Sequence, residues 1–228
     1  MCSSASALIA FLAVPAISAT AQVPEQSKPA SQIFADAVAA MSSVKDFHVS
    51  GRVAEGKQLI VLNMSMSKTG GGGSFQYNGA TIEVVVNRQY LYIKADAASW
   101  KILAANQVAG QSVAQLLANK WLKVPVSNAQ FSSFANFTFS TKFLPAITKG
   151  HNAELANHGL TTYGGRSAIE LTDVQQNGRV YIAAASPHYL LGIVASGNGS
   201  SAGSIQFTDF GDAPMPTTPT NAIAFPGL

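Results

Sequence analysis

One cysteine, Cys2, serves the whole 228-residue chain. A single thiol makes no intramolecular disulfide. Removal of the first 21 residues would leave none, which excludes thiol catalysis and suits an oxidising compartment. Charge is nearly as scarce: Asp, Glu, Lys and Arg together are 11% of residues, with a net charge of +3. The basic side chains are scattered, so nucleic acid is excluded as a partner. Polarity comes instead from Gly, Ser, Asn and Thr, a composition that fits a secreted or cell-envelope protein. No stretch after residue 21 is long and apolar enough to cross a bilayer. His, Cys and carboxylates do not cluster with ligand spacing, so neither a metal nor a cofactor is expected.

An apolar run does occur at the N-terminus, ALIAFLAVPAISA at 7–19, ending in Ala19-Thr20-Ala21. Its length and small-x-small ending predict an export signal cleaved after Ala21, although no basic residue precedes the run. Residues 22–31 read as a polar, proline-bearing linker and residues 32–228 as a single domain.

Ile33, Phe34, Ala37, Val38, Met41 and Val44 recur at three- and four-residue steps. That spacing predicts an amphipathic helix over 32–44, with Ser31 as its N-cap. The period then changes to two. FHVSGRV at 47–53 alternates, and so, after a turn at Glu55 and Gly56, does 57–68. Ile60, Leu62, Met64 and Met66 share one face there, and Asn63, Ser65 and Ser67 the other. The glycines at 70–73 predict a turn. Strands follow at 74–77, 80–86 and 89–94. Ile82, Val84 and Val86 face together, as do Leu91 and Ile93.

The middle reads as helices at 96–106 and 111–119, an extended WLKVP at 121–125, and a Phe-rich stretch with a helix running to Ile147. Strand patterns return at 160–163 and 166–173. A closing meander to Gly211 turns at Asn177-Gly178, at Ser186-Pro187-His188, and over the Gly/Ser segment 196–203. The tail from Ala213 carries four prolines and reads as irregular. Together these predict an α+β fold: a large curved antiparallel sheet, a half-open barrel of about 9–11 strands, with helices packed across the concave face and the other face wet.

Candidate chemistry is thin. Asp46, His48 and Ser50 alternate and point the same way, but residues two apart on a strand stand too far apart for a nucleophile–base triad. His151, His158 and His188 fall in loop-like contexts. Asp173, Asp209 and Asp212 lie near strand ends, where turn-forming carboxylates are ordinary. No Lys-Ser/Thr and no helix follow the glycines at 70–73, so they are not a phosphate loop. The expectation is a protein without catalysis.

The apolar face is more informative. The inward residues already named, from Ile60 to Ile93, would line the first half of the sheet. Ile169, Leu171, Ile193, Ile205 and Phe207 would line the second, with Phe134 and Phe143 lying across. Two readings stay open. Either these residues fill a core, or the sheet is too wide for its helical cover and leaves a cavity for an acyl chain, whose Met-rich walls would suit ligands of variable shape. Gly192 and the alanines at 183–185 leave the inner face thinly furnished, which predicts where an unfilled space lies. Lys120, Lys123, Lys142 and Lys149 flank the middle segment, placed to attract anionic headgroups.

The order of motifs resembles a known family. FHVSGRV follows the first helix, ATIEVVVNRQYLYIKADAASW leads into KWLKVPV, and SPHYLLGIVAS and IQFTDFG close the chain. Most telling are Tyr92-Ile93-Lys94 before Trp100, Lys120-Trp121 before Val124-Pro125, and Pro187 and Tyr189 ahead of a strand. From residue 32 to 219 the chain is similar to the LppX/LprG-type lipoproteins of actinobacterial envelopes, within the LolA/LolB-like superfamily of lipoprotein carriers. The resemblance implies a half-open antiparallel barrel around helices, and an apolar cavity that binds and transfers acyl chains without covalent chemistry. Its ligand would be a lipid, a glycolipid or an acylated lipoprotein, held by a monomer that touches a membrane surface transiently. The chain departs from the family in its lipobox: Cys2 precedes the apolar run, so a soluble periplasmic or secreted form is expected. No ligand-contact motif carries over, and the cavity residues rest on strand alternation. The alternative is an envelope structural or interaction protein of the same fold, with a filled core and no ligand.

Overall fold

The computed structural model describes residues 24–55, 58–103, 110–129, 131–148, 154–173, 175, 178–195 and 202–224. The export signal read over 1–21 lies outside them. So do Gly56, the end of the helix read over 96–106, Lys149, His151, Asn177 and residues 196–201 of the Gly/Ser segment.

A first meander comprises β1 (Asp46–Glu55), β2 (Gln58–Ser67), β3 (Gly70–Tyr77), β4 (Ala80–Val86) and β5 (Tyr90–Ala95), joined by β6 (Trp121–Pro125). A second comprises β7 (Leu155–Tyr163), β8 (Arg166–Asp173), β9 (Gly178–Ala183), β10 (Leu190–Ala195) and β11 (Gly203–Thr208), and β12 (Ala222–Ala224) ends the chain. All lie in one 12-stranded sheet, ordered β12-β6-β5-β4-β3-β2-β1-β11-β10-β9-β8-β7. The two meanders meet where β1 pairs with β11. Every pairing is antiparallel except β12 on β6, which is parallel.

Helix α1 (Ala30–Ser43) buries Ile33, Phe34, Ala37 and Met41. It packs against α5 (Ser140–Thr148) and against β7 and β10. Its N-cap is Pro29, not Ser31. Pro29 has φ −57° and ψ 142°, and its carbonyl accepts the N–H groups of Gln32 and Ile33. A residue with fixed φ and no N–H to satisfy suits the entry to a helix. Helix α2 (Ala97–Leu103) packs on β4 and pairs with α3 (Gly110–Leu117), where the Trp100 indole N–H donates to the Leu117 carbonyl at 3.2 Å. The Phe-rich stretch divides into α4 (Ser132–Asn136) and α5.

The glycines at 70–73 are strand, not turn. The chain reverses at Lys68 and Thr69, where the Ser67 hydroxyl donates to the Gly70 carbonyl at 2.7 Å. Gly71, Gly72 and Gly73 then pair with β2 on one side and β4 on the other. The lack of side chains has a physical reason here: a Cβ at Gly71 would run into the Ser65 carbonyl and one at Gly72 into the Val84 carbonyl, with the Thr138 carbonyl and Pro216 of the tail close behind.

The thin patch expected on the inner face is not where the sequence suggests. A β-bulge between Leu190 and Gly192 sets Leu190 opposite Ile182 but Gly192 opposite Tyr181. A bulge reverses the alternation beyond it. Gly192 therefore faces outward, covered by Tyr163, whose ring stacks on Tyr181 at 4.3 Å. Ala183 belongs to the same outer cluster, with Ala168, Tyr181 and Leu191. The outer face is thus apolar at this end rather than uniformly wet.

Candidate functional site

Cross-strand register brings one row of inner-face positions into line: Phe75, Leu62, Gly51, Ile205, Ile193, Val180 and Leu171, each on the next strand from β3 to β8. Side chains two strands apart cannot close over a missing neighbour, since strands lie about 4.8 Å apart. Gly51 is that missing neighbour. Its φ is +155° and a Cβ there would run into the Ser204 carbonyl, so the position takes glycine. Leu62 and Ile205 stand on either side of the gap.

Over this gap lies α5. Phe143, Ala146 and Ile147 of α5, with Phe137 just before it, roof a cleft of about 350 Å³. Ile60, Leu62, Ile193 and Ile205 form the floor, and Ala195, Gly203 and Ser204 one end. Among the described residues, the lining holds no ionisable side chain. Phe143 is 2% exposed at the back, and Phe137 is 51% exposed at the rim.

One cluster of charged groups sits at the start of α1. Lys28 donates to Asp36 of α1 at 2.7 Å and pairs with Glu25 at 2.6 Å, and α1 packs on α5. The hydrogen bond to Asp36, then that to Glu25, holds the Lys28 ammonium above its ordinary pKa. The Lys28 hydrogen bond holds the Asp36 carboxyl below the usual carboxylate value.

Of the residues expected to line a cavity, Ile60, Leu62, Phe143, Ile193 and Ile205 meet at this cleft. Met64, Met66, Ile82, Val84, Val86, Leu91 and Ile93 are buried together in the first half of the sheet, and Ile169, Leu171 and Phe207 in the second. Phe134 is half-buried against Phe75, ring centres 5.4 Å apart. Phe137, Ala146, Ile147, Ala195, Gly203 and Ser204 were not expected. Phe137 lies in the Phe-rich stretch, but nothing in the sequence singled it out.

Asp46, His48 and Ser50 do not assemble a triad. The Asp46 carboxylate accepts from the Ala213 N–H at 2.9 Å, and His48 Nδ1 lies 3.2 Å from the Ser65 hydroxyl on the neighbouring strand. Among the described residues, no group of three or more His, Cys, Asp or Glu is placed to hold a metal ion, and no helix is long and apolar enough to cross a membrane.

No family model matches the sequence, and no curated protein does. Among solved structures, LprF from Mycobacterium bovis superposes with a TM-score of 0.54 at 14% identity, covering 85% of this chain and 97% of that one. The lipoprotein LppX from Mycobacterium tuberculosis does so with a TM-score of 0.48 at 12% identity, covering 80% and 95%. The large, open, mostly antiparallel sheet with its helices is the fold of LprF. The resemblance carried by the sequence motifs is therefore met at the level of the fold.

Proposed function

We propose that the chain is an exported, non-enzymatic lipid carrier that holds an acyl chain in the cleft between α5 and the sheet. The observation that carries this reading is the cleft itself: an opening of about 350 Å³ walled by aliphatic and aromatic side chains, with a half-exposed phenylalanine at its rim. Ligand sites range over about 300–1,000 Å³, so this one suits a single acyl chain better than several. Six methylenes taken out of water at ~0.8 kcal/mol each supply roughly 5 kcal/mol before the cost of association. Such binding is reversible, as a carrier needs.

The acyl chain would belong to a lipid, a glycolipid or an acylated lipoprotein. Lys142, exposed on α5 next to Phe143, supplies a cation for an anionic headgroup or a membrane surface during transfer. The protein works as a monomer in the periplasm or outside the cell, after cleavage behind Ala21. A second reading, an envelope interaction protein of this fold with a filled core, is favoured by the close burial of Met64, Met66 and Ile82.

Native mass spectrometry of the protein purified from its own envelope, with extraction of bound lipid, separates the two. The carrier reading expects co-purifying lipid and saturable binding of a fluorescent fatty acid. Repeated absence of both would overturn it.

A further inference from the structure

On the sheet face away from α5, a second groove of about 560 Å³ opens between the strands and the C-terminal tail. Gly72, Gly73, Val84 and Val85 make its floor largely apolar, and a polar ladder crosses it. Strand register sets Gln206, Ser50, Asn63, Ser74, Glu83 and Lys94 side by side on six adjacent strands, from β11 to β5. Asn63, Ser74 and Glu83 line the groove itself, as do His48 and Ser65 one row along. The tail forms a wall through Pro214, Pro216 and Thr217. Trp121 on β6 lines it as well, half-buried, with the Lys94 ammonium 5.5 Å from its ring centre.

The chemistry narrows the ligand. Lys94 pairs with Glu83 at 3.1 Å, so the floor offers balanced charge rather than a cationic or anionic site. That disfavours a phosphate or a carboxylate ligand. A peptide would add to a free strand edge, but β1 to β5 are each paired on both sides. Amide, hydroxyl and carboxylate groups instead offer donors and acceptors in a line, about 4.8 Å from strand to strand. That interval is close to the length of one sugar ring in an extended chain. On the side away from the Lys94 ammonium, an indole with a broad apolar face and a polar edge is suited to stack against the C–H face of such a ring.

We propose that this groove binds a neutral oligosaccharide, with Trp121 as the stacking platform and Asn63, Ser74 and Glu83 hydrogen-bonding to sugar hydroxyls. The site is on the other side of the sheet from the acyl cleft and does not depend on it.

The test is titration of the mature chain with short linear gluco-, manno-, galacto- and arabino-oligosaccharides, followed by tryptophan emission and by calorimetry. The chain has two tryptophans. Trp100 is 6% exposed and bonded to Leu117, so a sugar-induced change reports on Trp121. At least one sugar should bind saturably and shift the emission. Trp121→Ala and Glu83→Gln should each weaken it about tenfold or more, at an unchanged urea midpoint, while Trp121→Phe keeps part of the affinity. Absence of binding across the panel would overturn the proposal. So would sugar binding that survives both Trp121→Ala and Glu83→Gln in folded protein.

Discussion

The Asp46 carboxylate, 2% exposed, accepts a hydrogen bond from the Ala213 N–H at 2.9 Å, tying the first residue of β1 to the start of the tail. The Gly211 N–H adds a second bond, to the Asp46 carbonyl, at 2.7 Å. Ala213 is itself buried, so loss of the carboxylate leaves its N–H without that acceptor and without water. Asp46→Ala should cost about 1–3 kcal/mol, read as a lower urea midpoint at unchanged slope. The freed tail should also be cut faster by proteases. A midpoint equal to that of the parent chain would show that the bond contributes nothing.

Two tryptophan substitutions separate cleft from core. Leu62→Trp adds bulk beside the gap over Gly51. It should weaken a fluorescent fatty-acid probe about tenfold or more and cost less stability than Val84→Trp. Val84 is 1% exposed among packed neighbours. Val84→Trp should cost about 1–3 kcal/mol or more and leave probe affinity of the folded fraction unchanged. Equal effects of both on binding would place the ligand elsewhere.

The Lys28–Asp36 pair predicts a pH profile. The Asp36 carboxyl is held below its ordinary 3.8 by Lys28, so its contribution is present above 3.8 and lost as pH falls through the lower folded value. The Lys28 ammonium is held above its ordinary 10.5, so its contribution is complete below 10.5 and lost as pH rises through the higher folded value. Thermal midpoints of the parent and of Asp36→Asn should differ across the neutral range and converge in acid, below 3.8. The pair is partly exposed and so screened by salt, and the difference should shrink at high ionic strength. A difference that persists unchanged in acid would assign it to packing instead.

Alternation carried much of the sheet. Ile60, Leu62, Met64 and Met66 share the inner face as their spacing implied, and 80–86 and 121–125 are strands with the expected limits. What failed did so for tertiary reasons. Glycines at 70–73 carry a turn signal in isolation, yet Pro216 and the Thr138 carbonyl approach them from elements far along the chain. The bulge at Leu190 turned Gly192 outward, and nothing in the local pattern marks a bulge. β12 is three residues in a proline-bearing tail and exists only because β6 offers a parallel edge. The cleft was the least legible feature. It depends on α5 crossing the one row of side chains that Gly51 interrupts, and period-two spacing does not distinguish that row from the filled one at Met64.

The most direct measurement is photo-crosslinking of the purified protein with a diazirine-bearing fatty acid, followed by peptide mapping. The carrier reading predicts labels at Phe137, Ala146 and Ile147 and at residues 203–205, reduced by Leu62→Trp. Labelling confined to the outer face, or spread without preference and unchanged by Leu62→Trp, would contradict it.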